Sequence, residues 1–267
     1  MSPDVSNQSL LFLIVFVFVP LTLSYLYQLG MSKSIMWSSL RGTVQLFAIG
    51  YILTWLFDLP PVVGIPVMVS VMIVIATFHA RNKGRELPHV FTVILIGLIV
   101  IEGIVLSLWI IFDMVEFKPS EVIPMSGMVI GNSMVAMGLA LERMKSEFAE
   151  NTGKLQAALS LGARPKQASH LIIRKTLNAS LIPNIDKLKI IGLVQLPGMM
   201  TGLILGGVAP VMAIKYQLVI SLSIFSAVSL SAMFVTLAMY RYFFNQQEQL
   251  LENEAQLEAQ SKNRPSK

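Results

Sequence analysis

Glu102 stands inside the apolar run VILIGLIVIEGIVLSLW, and no other acidic residue falls within such a run. A charged carboxylate at membrane depth costs about 2.5–3.5 kcal/mol on insertion scales, so it requires a partner or a water-filled path. Two roles fit it: a ligand or relay for a cation, or a protonated acid bonded to a neighbouring helix. Gln45, Asn132, Ser133, Gln195 and Thr201 are further polar groups inside apolar stretches. Met125, Met128 and Asn132 follow i, i+3, i+7 spacing and share a helix face, while Met199 and Met200 adjoin Thr201. Thioethers suit soft metals, and carboxylate and amide oxygens suit harder ones. A mixed Glu/Asn/Met lining accommodates ferrous iron without selecting it. The same methionines would equally serve as adaptable packing. The substrate-path candidates are therefore Glu102, Asn132, Met125, Met128, Met199, Met200, Thr201 and Gln195, with Glu102 as the candidate metal ligand.

Other chemistry is excluded. The chain has no cysteine, which removes disulfides, thiolate nucleophiles and Cys-based metal sites. It carries no G-x-x-x-x-G-K-[ST], no H-E-x-x-H and no G-x-S-x-G. His79, His89 and His170 do not cluster in sequence, and His79 and His89 read as interfacial polar caps. No catalytic residue and no cofactor of the chain's own is expected.

The elements that must position these residues follow from composition. Of 267 residues, 54% are hydrophobic and 13% charged, against roughly 25% charged in a soluble domain. A helix crossing a hydrocarbon core of about 30 Å needs about 20 residues. Seven apolar runs approach that length: Ser9–Tyr27, Met36–Phe57, Pro61–His79, His89–Phe112, Val122–Leu141, Ile191–Ala213 and Gln217–Tyr242. The fold class is all-α, a polytopic integral membrane protein with about seven transmembrane helices. The segment before the first run, MSPDVSNQ, has no basic residue, so that run reads as a retained helix rather than a signal peptide.

Charge placement orients the chain. With the N-terminus outside and the C-terminus inside, 18 of the 20 basic residues fall on inner segments and only Lys118 and Lys215 outside. The net charge of +5 is thus a topology signal under the positive-inside rule, not a nucleic-acid surface. Residues 1–245 form the transmembrane domain, with one long cytoplasmic loop at about 142–189. Residues 246–267 form a cytoplasmic tail whose first part could extend the last helix and whose final residues read as disordered.

Two further patterns stand out. Gly198, Gly202 and Gly206 are spaced by four, as are Gly127 and Gly131, so backbones should approach closely along the fifth and sixth spans, within one subunit or across a dimer axis. In the long loop, Thr152 can cap a helix with Leu155, Ala158, Leu159 and Leu161 as its apolar stripe. Gly162 suits its C′ position, and Pro165 opens a second helix to about Asn178, burying Leu171, Ile172 and Leu177.

That loop carries a resemblance. Gln156-Ala157-Ala158, three residues, then Gly162-Ala163, with Ile172 after nine more, looks like the EAA loop of ABC-transporter permeases. The family has Glu where Gln156 stands, and its Leu-Pro falls here as Leu181-Ile182-Pro183. The nearer resemblance is to the FetB-like ABC permeases linked to bacterial iron export. Gly131-Asn132-Ser133-Met134, the loop, and Leu196-Pro197-Gly198-Met199-Met200-Thr201-Gly202 with Gly206-Gly207 and Pro210 carry it, over about residues 10–245. The resemblance implies a homodimer in the cell inner membrane with two separate ATPase subunits that bind ATP. It implies a coupling loop of Gln156, Ala157, Ala158, Gly162, Ala163 and Pro165 docking on those subunits, and metal efflux as the task. Plant relatives are associated with aluminium tolerance and linked to nucleotide-sugar transport, so other cargoes stay open, as does a proton-coupled secondary transporter working through Glu102, or a membrane scaffold.

Overall fold

A computed structural model describes residue 12 and residues 14–251, and every regular element among them is helical. Five helices are long and apolar enough to cross a membrane: Ser32–Phe57, Pro61–Gly84, Val90–Ile111, Pro119–Glu150 and Pro210–Phe243. Ile14–Leu26 is a shorter apolar helix. The chain is thus a polytopic membrane protein. The expectation of a disordered terminus concerns residues outside the described ones.

The contacts divide the chain at Pro60. The first unit contains α1 (Ile14–Leu26) and α2 (Ser32–Phe57), joined by a short turn and linked by the Ser32 hydroxyl donating to Ser24 at 3.1 Å. The second unit contains α3 (Pro61–Ala80), α4 (Val90–Ile111), α5 (Pro119–Glu150), α6 (Thr152–Ser160), α7 (Pro165–Ala168), α8 (His170–Ile190), α9 (Gly198–Leu205) and α10 (Pro210–Met239).

Pairs of contacts fix the helix directions in this second unit. Glu121 lies near Tyr216, and Phe148 stacks on Phe243 with ring centroids 4.1 Å apart, so α5 and α10 run parallel. Gly127 faces Met72 and Gly138 faces Lys83, so α3 runs with them. Trp109 Nε1 donates to Ser223 at 2.8 Å while His89 meets Tyr242 at the other end, so α4 is antiparallel. Apolar side chains that leave lipid for these contacts are buried throughout, among them Ile94, Leu98, Met125, Met137, Val228 and Val235. Without a hydrophobic drive between helices, close van der Waals fit holds them. Gly97 shows how close: a Cβ there would sit 2.8 Å from Met137 Cε and from Phe234 Cδ1.

The end where α5 and α10 finish is basic. Lys83 pairs with Glu142 at 3.0 Å, and Lys145 with Glu86 at 2.6 Å. The positive-inside rule assigns this end to the cytoplasm. Burial pushes the Glu86 carboxyl up, but the Lys145 hydrogen bond and charge outweigh it and hold it below the usual carboxylate value.

Three expectations need correction. The sixth run, Ile191–Ala213, is not a continuous helix. Its Gly and Pro content breaks it: Gly192 adopts φ +79° and Gly207 φ +92°, leaving the eight-residue α9 between two turns. Second, the loop helix placed at Pro165–Asn178 is two elements. A single turn, α7, ends at Ser169, and α8 then continues through Pro183 to Ile190. Third, the tail does not extend the last helix. After the 3-10 turn Tyr240–Phe243 the chain folds back, with Asn245 Oδ1 accepting the N–H groups of Gln247 and Gln249 and Leu251 N–H returning to Phe243.

Candidate functional site

Where α8 reaches its C-terminus, the second unit holds a cavity of about 190 Å³. Its lining combines Met128 and Asn132 of α5, Asn184 and Lys187 of α8, Gln195 and Pro197 of the following turn, and Gln217 and Ser221 of α10. The levels are set by α5. Lys175 near the start of α8 meets Glu147 at 3.0 Å, and Lys187 further along lines the same cavity as Asn132 and Met128, so α8 climbs antiparallel to α5. Those two residues straddle the midpoint between Lys118 and Glu142, about 18 Å from either by helical rise. On α5 the cavity therefore lies midway between Lys118 and Glu142, while Asn184 and Lys187 of α8 line it from the side of the basic end.

The backbone beside it is irregular for the same stretch. α8 stops at Ile190, whose carbonyl accepts the N–H groups of Leu193, Val194 and Gln195. Gly192 N–H bonds Gln195 O at 3.0 Å and closes the turn. α9 then restarts at Gly198 behind Pro197. Non-helical backbone at membrane depth is tolerated where protein or a water-filled cavity lies beside it. The sixth crossing is thus a composite of the upper half of α8, a turn and α9.

Of the eight substrate-path candidates, the cavity gathers Met128, Asn132 and Gln195. Asn132 Nδ2 donates to the Met128 carbonyl at 2.8 Å, which fixes its amide. Met199 and Met200 are half-buried on α9, and the Thr201 hydroxyl donates back to Pro197 O at 3.1 Å. Glu102 and Met125 are elsewhere, inside the helix contacts. Glu102 is 2% exposed, faces the Ser126 hydroxyl of α5, and is not among the cavity's lining residues. No group of three or more His, Cys, Asp or Glu able to hold a metal occurs among the described residues.

Of the two settings expected for the glycine faces, close approach within one subunit is not made, and approach across a dimer axis stays open. A Cβ at Gly131, Gly198 or Gly202 would meet nothing within 4 Å, one at Gly206 would meet only α9's own carbonyls, and one at Gly127 makes an ordinary contact with Met72. Close helix approach falls at Gly97 instead, a lone glycine that no spacing pattern marks. Sequence reasoning also missed Asn184, Lys187, Gln217 and Ser221. Lys187 read as a cytoplasmic loop residue because its neighbours are charged.

At the basic end, α6 hangs from α5 across Asn151, and Thr152 donates its hydroxyl back to Phe148 and Ala149 rather than capping α6. Gly162 N–H bonds Leu159 O at 2.9 Å and Ala163 N–H bonds Ala158 O at 3.0 Å, the paired bonds of a Schellman ending. That ending needs φ near +87° at Gly162, which glycine adopts without a steric cost. Pro165 then starts α7, with the Arg164 N–H donating to Gln167 Oε1. Leu155 and Ile172 are buried as expected, whereas Leu171 is exposed and Leu161 is 90% exposed at the tip.

Three comparisons bear on this arrangement. The model of the uncharacterised protein family UPF0014 matches residues 7–244. The chain is 37% identical over 250 residues to the probable iron export permease protein FetB of Escherichia coli (strain K12), covering 94% of this chain and 96% of that protein. It is 38% identical to the UPF0014 membrane protein YjkA of Bacillus subtilis (strain 168), covering 92% and 98% respectively. It is 30% identical to the protein ALUMINUM SENSITIVE 3 of Arabidopsis thaliana, covering 89% and 87%. No solved structure matches. Likeness along nearly the whole length, on a bundle of membrane-spanning helices, makes this chain a member of the UPF0014 family of membrane proteins.

Proposed function

We propose that the chain is the permease subunit of an ABC transporter in the cell inner membrane, working as a homodimer with two separate ATPase subunits and exporting iron. One observation carries the ATPase half of this reading. α6 is a short helix at the basic end that buries Leu155, is closed by the Gly162 turn and presents Leu161 to solvent. An exposed apolar knob at the tip of a short helix suits a cleft on a partner. The Glu147 clamp ties that same end of α5 to α8, whose other end reaches the cavity. A push on α6 would thus be transmitted along α5 and α8 to the cargo path. Iron as cargo is supported by the likeness to the probable iron export permease.

A different cargo, another metal or a nucleotide sugar, is the second reading. The lack of any carboxylate in the cavity lining favours the nucleotide sugar over a bare metal cation. Affinity purification of the full chain from its own membranes tests the first reading. An ABC ATPase recovered in equal amount supports it, and recovery of the chain alone under conditions that keep other membrane complexes together overturns it.

A further inference from the structure

We propose that the cavity between α5, α8 and α10 is a binding site for a small anion rich in acceptor oxygens, held by the Lys187 ammonium and the amides of Asn132, Asn184 and Gln195. The inference rests on the permease reading for its purpose, and it names the cargo's chemistry. An ionisable side chain at membrane depth marks a cargo or relay site unless it is paired. Lys187 is such a side chain: twelve residues on from the Lys175–Glu147 contact, its backbone is level with about residue 135 of α5, about 10 Å inside Glu142 by helical rise, and its exposed side chain lines the cavity. It has no ion-pair partner among the described residues, while its neighbour Lys189 is neutralised by Asp186 at 3.0 Å. It is also the one charged residue in the lining.

The remaining donors agree in sign. Asn and Gln amides offer N–H groups to an anion, and Ser221 offers a hydroxyl. Gln217 Nε2 donates to Ser221 at 2.8 Å, which orders the α10 wall, and its Oε1 is buried without a partner, so this residue offers the site an acceptor for a hydroxyl of the ligand rather than a donor. Pro197 lines the cavity and immediately precedes the first turn of α9, so the positive end of that helix adds to the same field. A bare divalent cation finds no carboxylate, imidazole or thiolate here, and the ammonium repels it. Metal would therefore travel through this site inside an anionic complex, its carboxylate or phosphate oxygens making the contacts. A free organic acid or phosphate ester presents the same oxygens.

Equilibrium binding to the full chain in lipid nanodiscs tests this with three probes: radiolabelled citrate alone, citrate with ferric iron, and inorganic pyrophosphate. At least one should bind saturably. Lys187→Gln should weaken that binding tenfold or more, Lys187→Arg should restore it to within threefold, and Lys189→Gln should leave it unchanged. Binding of citrate only when iron is present assigns the oxygens to a metal complex, and equal binding without iron assigns them to the free acid. The proposal is overturned if no probe binds, if Lys187→Gln binds as the wild type does, or if bare ferrous iron binds alone and does so equally in both. Recovery of the ATPase with these variants stands apart, so failure here and failure of the permease reading are distinguishable.

Discussion

Glu147 of α5 and Lys175 of α8 meet at 3.0 Å, with Arg143 at 2.9 Å on the other carboxylate oxygen. The carboxylate is 1% exposed, whereas both cations are about half in solvent. Asn151 adds an amide contact at 3.2 Å. One buried acid thus holds together the two helices that run from α6 at the basic end to the cavity.

That asymmetry sets the first prediction. Glu147→Ala frees two cations that water can solvate, and costs about 2 kcal/mol of the charge-assisted bonding. Arg143→Ala with Lys175→Ala strands a buried carboxylate and costs more, about 3–5 kcal/mol. Thermal unfolding in detergent should rank the double variant below Glu147→Ala. The reverse order would mean that the clamp is not buried as described.

The second prediction concerns Gly162. A β-branched residue at φ +87° is strained by about 1–2 kcal/mol, whereas Asn tolerates that region. Gly162→Val should leave insertion intact but uncouple ATP hydrolysis from transport, and Gly162→Asn should retain at least half of both. Full transport by Gly162→Val would remove α6 from the coupling role.

A third prediction separates close contact from open space. Gly97→Ala drives a methyl against Met137 and Phe234 and should cost about 1–3 kcal/mol. Gly202→Ala should leave the fold's stability within about 0.5 kcal/mol, since nothing lies near it. If Gly202→Ala instead abolishes dimerisation in a crosslinking assay, the α9 face is a contact between two copies.

Glu102 gives the fourth. Its carboxyl faces Ser126 inside the α4–α5 contact and not the cavity. Glu102→Gln keeps the size and hydrogen-bonding capacity, so transport should stay within about twofold of wild type. A loss beyond tenfold in a normally inserted variant would return Glu102 to the cargo path.

The fifth concerns acid. The Lys145 contact lowers the Glu86 pKa, so its stabilisation is full above the ordinary carboxylate value of 4.5 and lost as pH falls through the lowered one. The drop in melting temperature on acidification should shrink in Lys145→Met. An unchanged drop would mean that other carboxylates carry it.

Much of the scaffold is legible in the sequence because a spanning helix writes its own signal. Apolar runs of sufficient length mark α2 to α5 and α10 directly, and Gly162 announces the end of α6. The cavity is legible only in part. Asn132 and Gln195 stand out as polar residues in apolar runs, but Asn184 and Lys187 sit in HLIIRKTLNASLIPNIDKLKI, whose charge pattern reads as a cytoplasmic loop. Their depth is decided by α8 lying along α5, a contact between segments about fifty residues apart. The sixth run misled in the opposite sense. Its apolar content suggested one helix, while Gly192, Pro197 and Gly207 divide it. The four-residue glycine spacing likewise marks a face without saying whether anything meets it.

The central claim is that ATP on a separate subunit drives cargo through this chain. Its most direct test is iron uptake into inside-out membrane vesicles that contain the full chain with or without a separate ABC ATPase. The account predicts uptake that requires both proteins and ATP, and that a non-hydrolysable nucleotide abolishes it. Equal uptake by the chain alone, driven by a proton gradient without ATP, would contradict it.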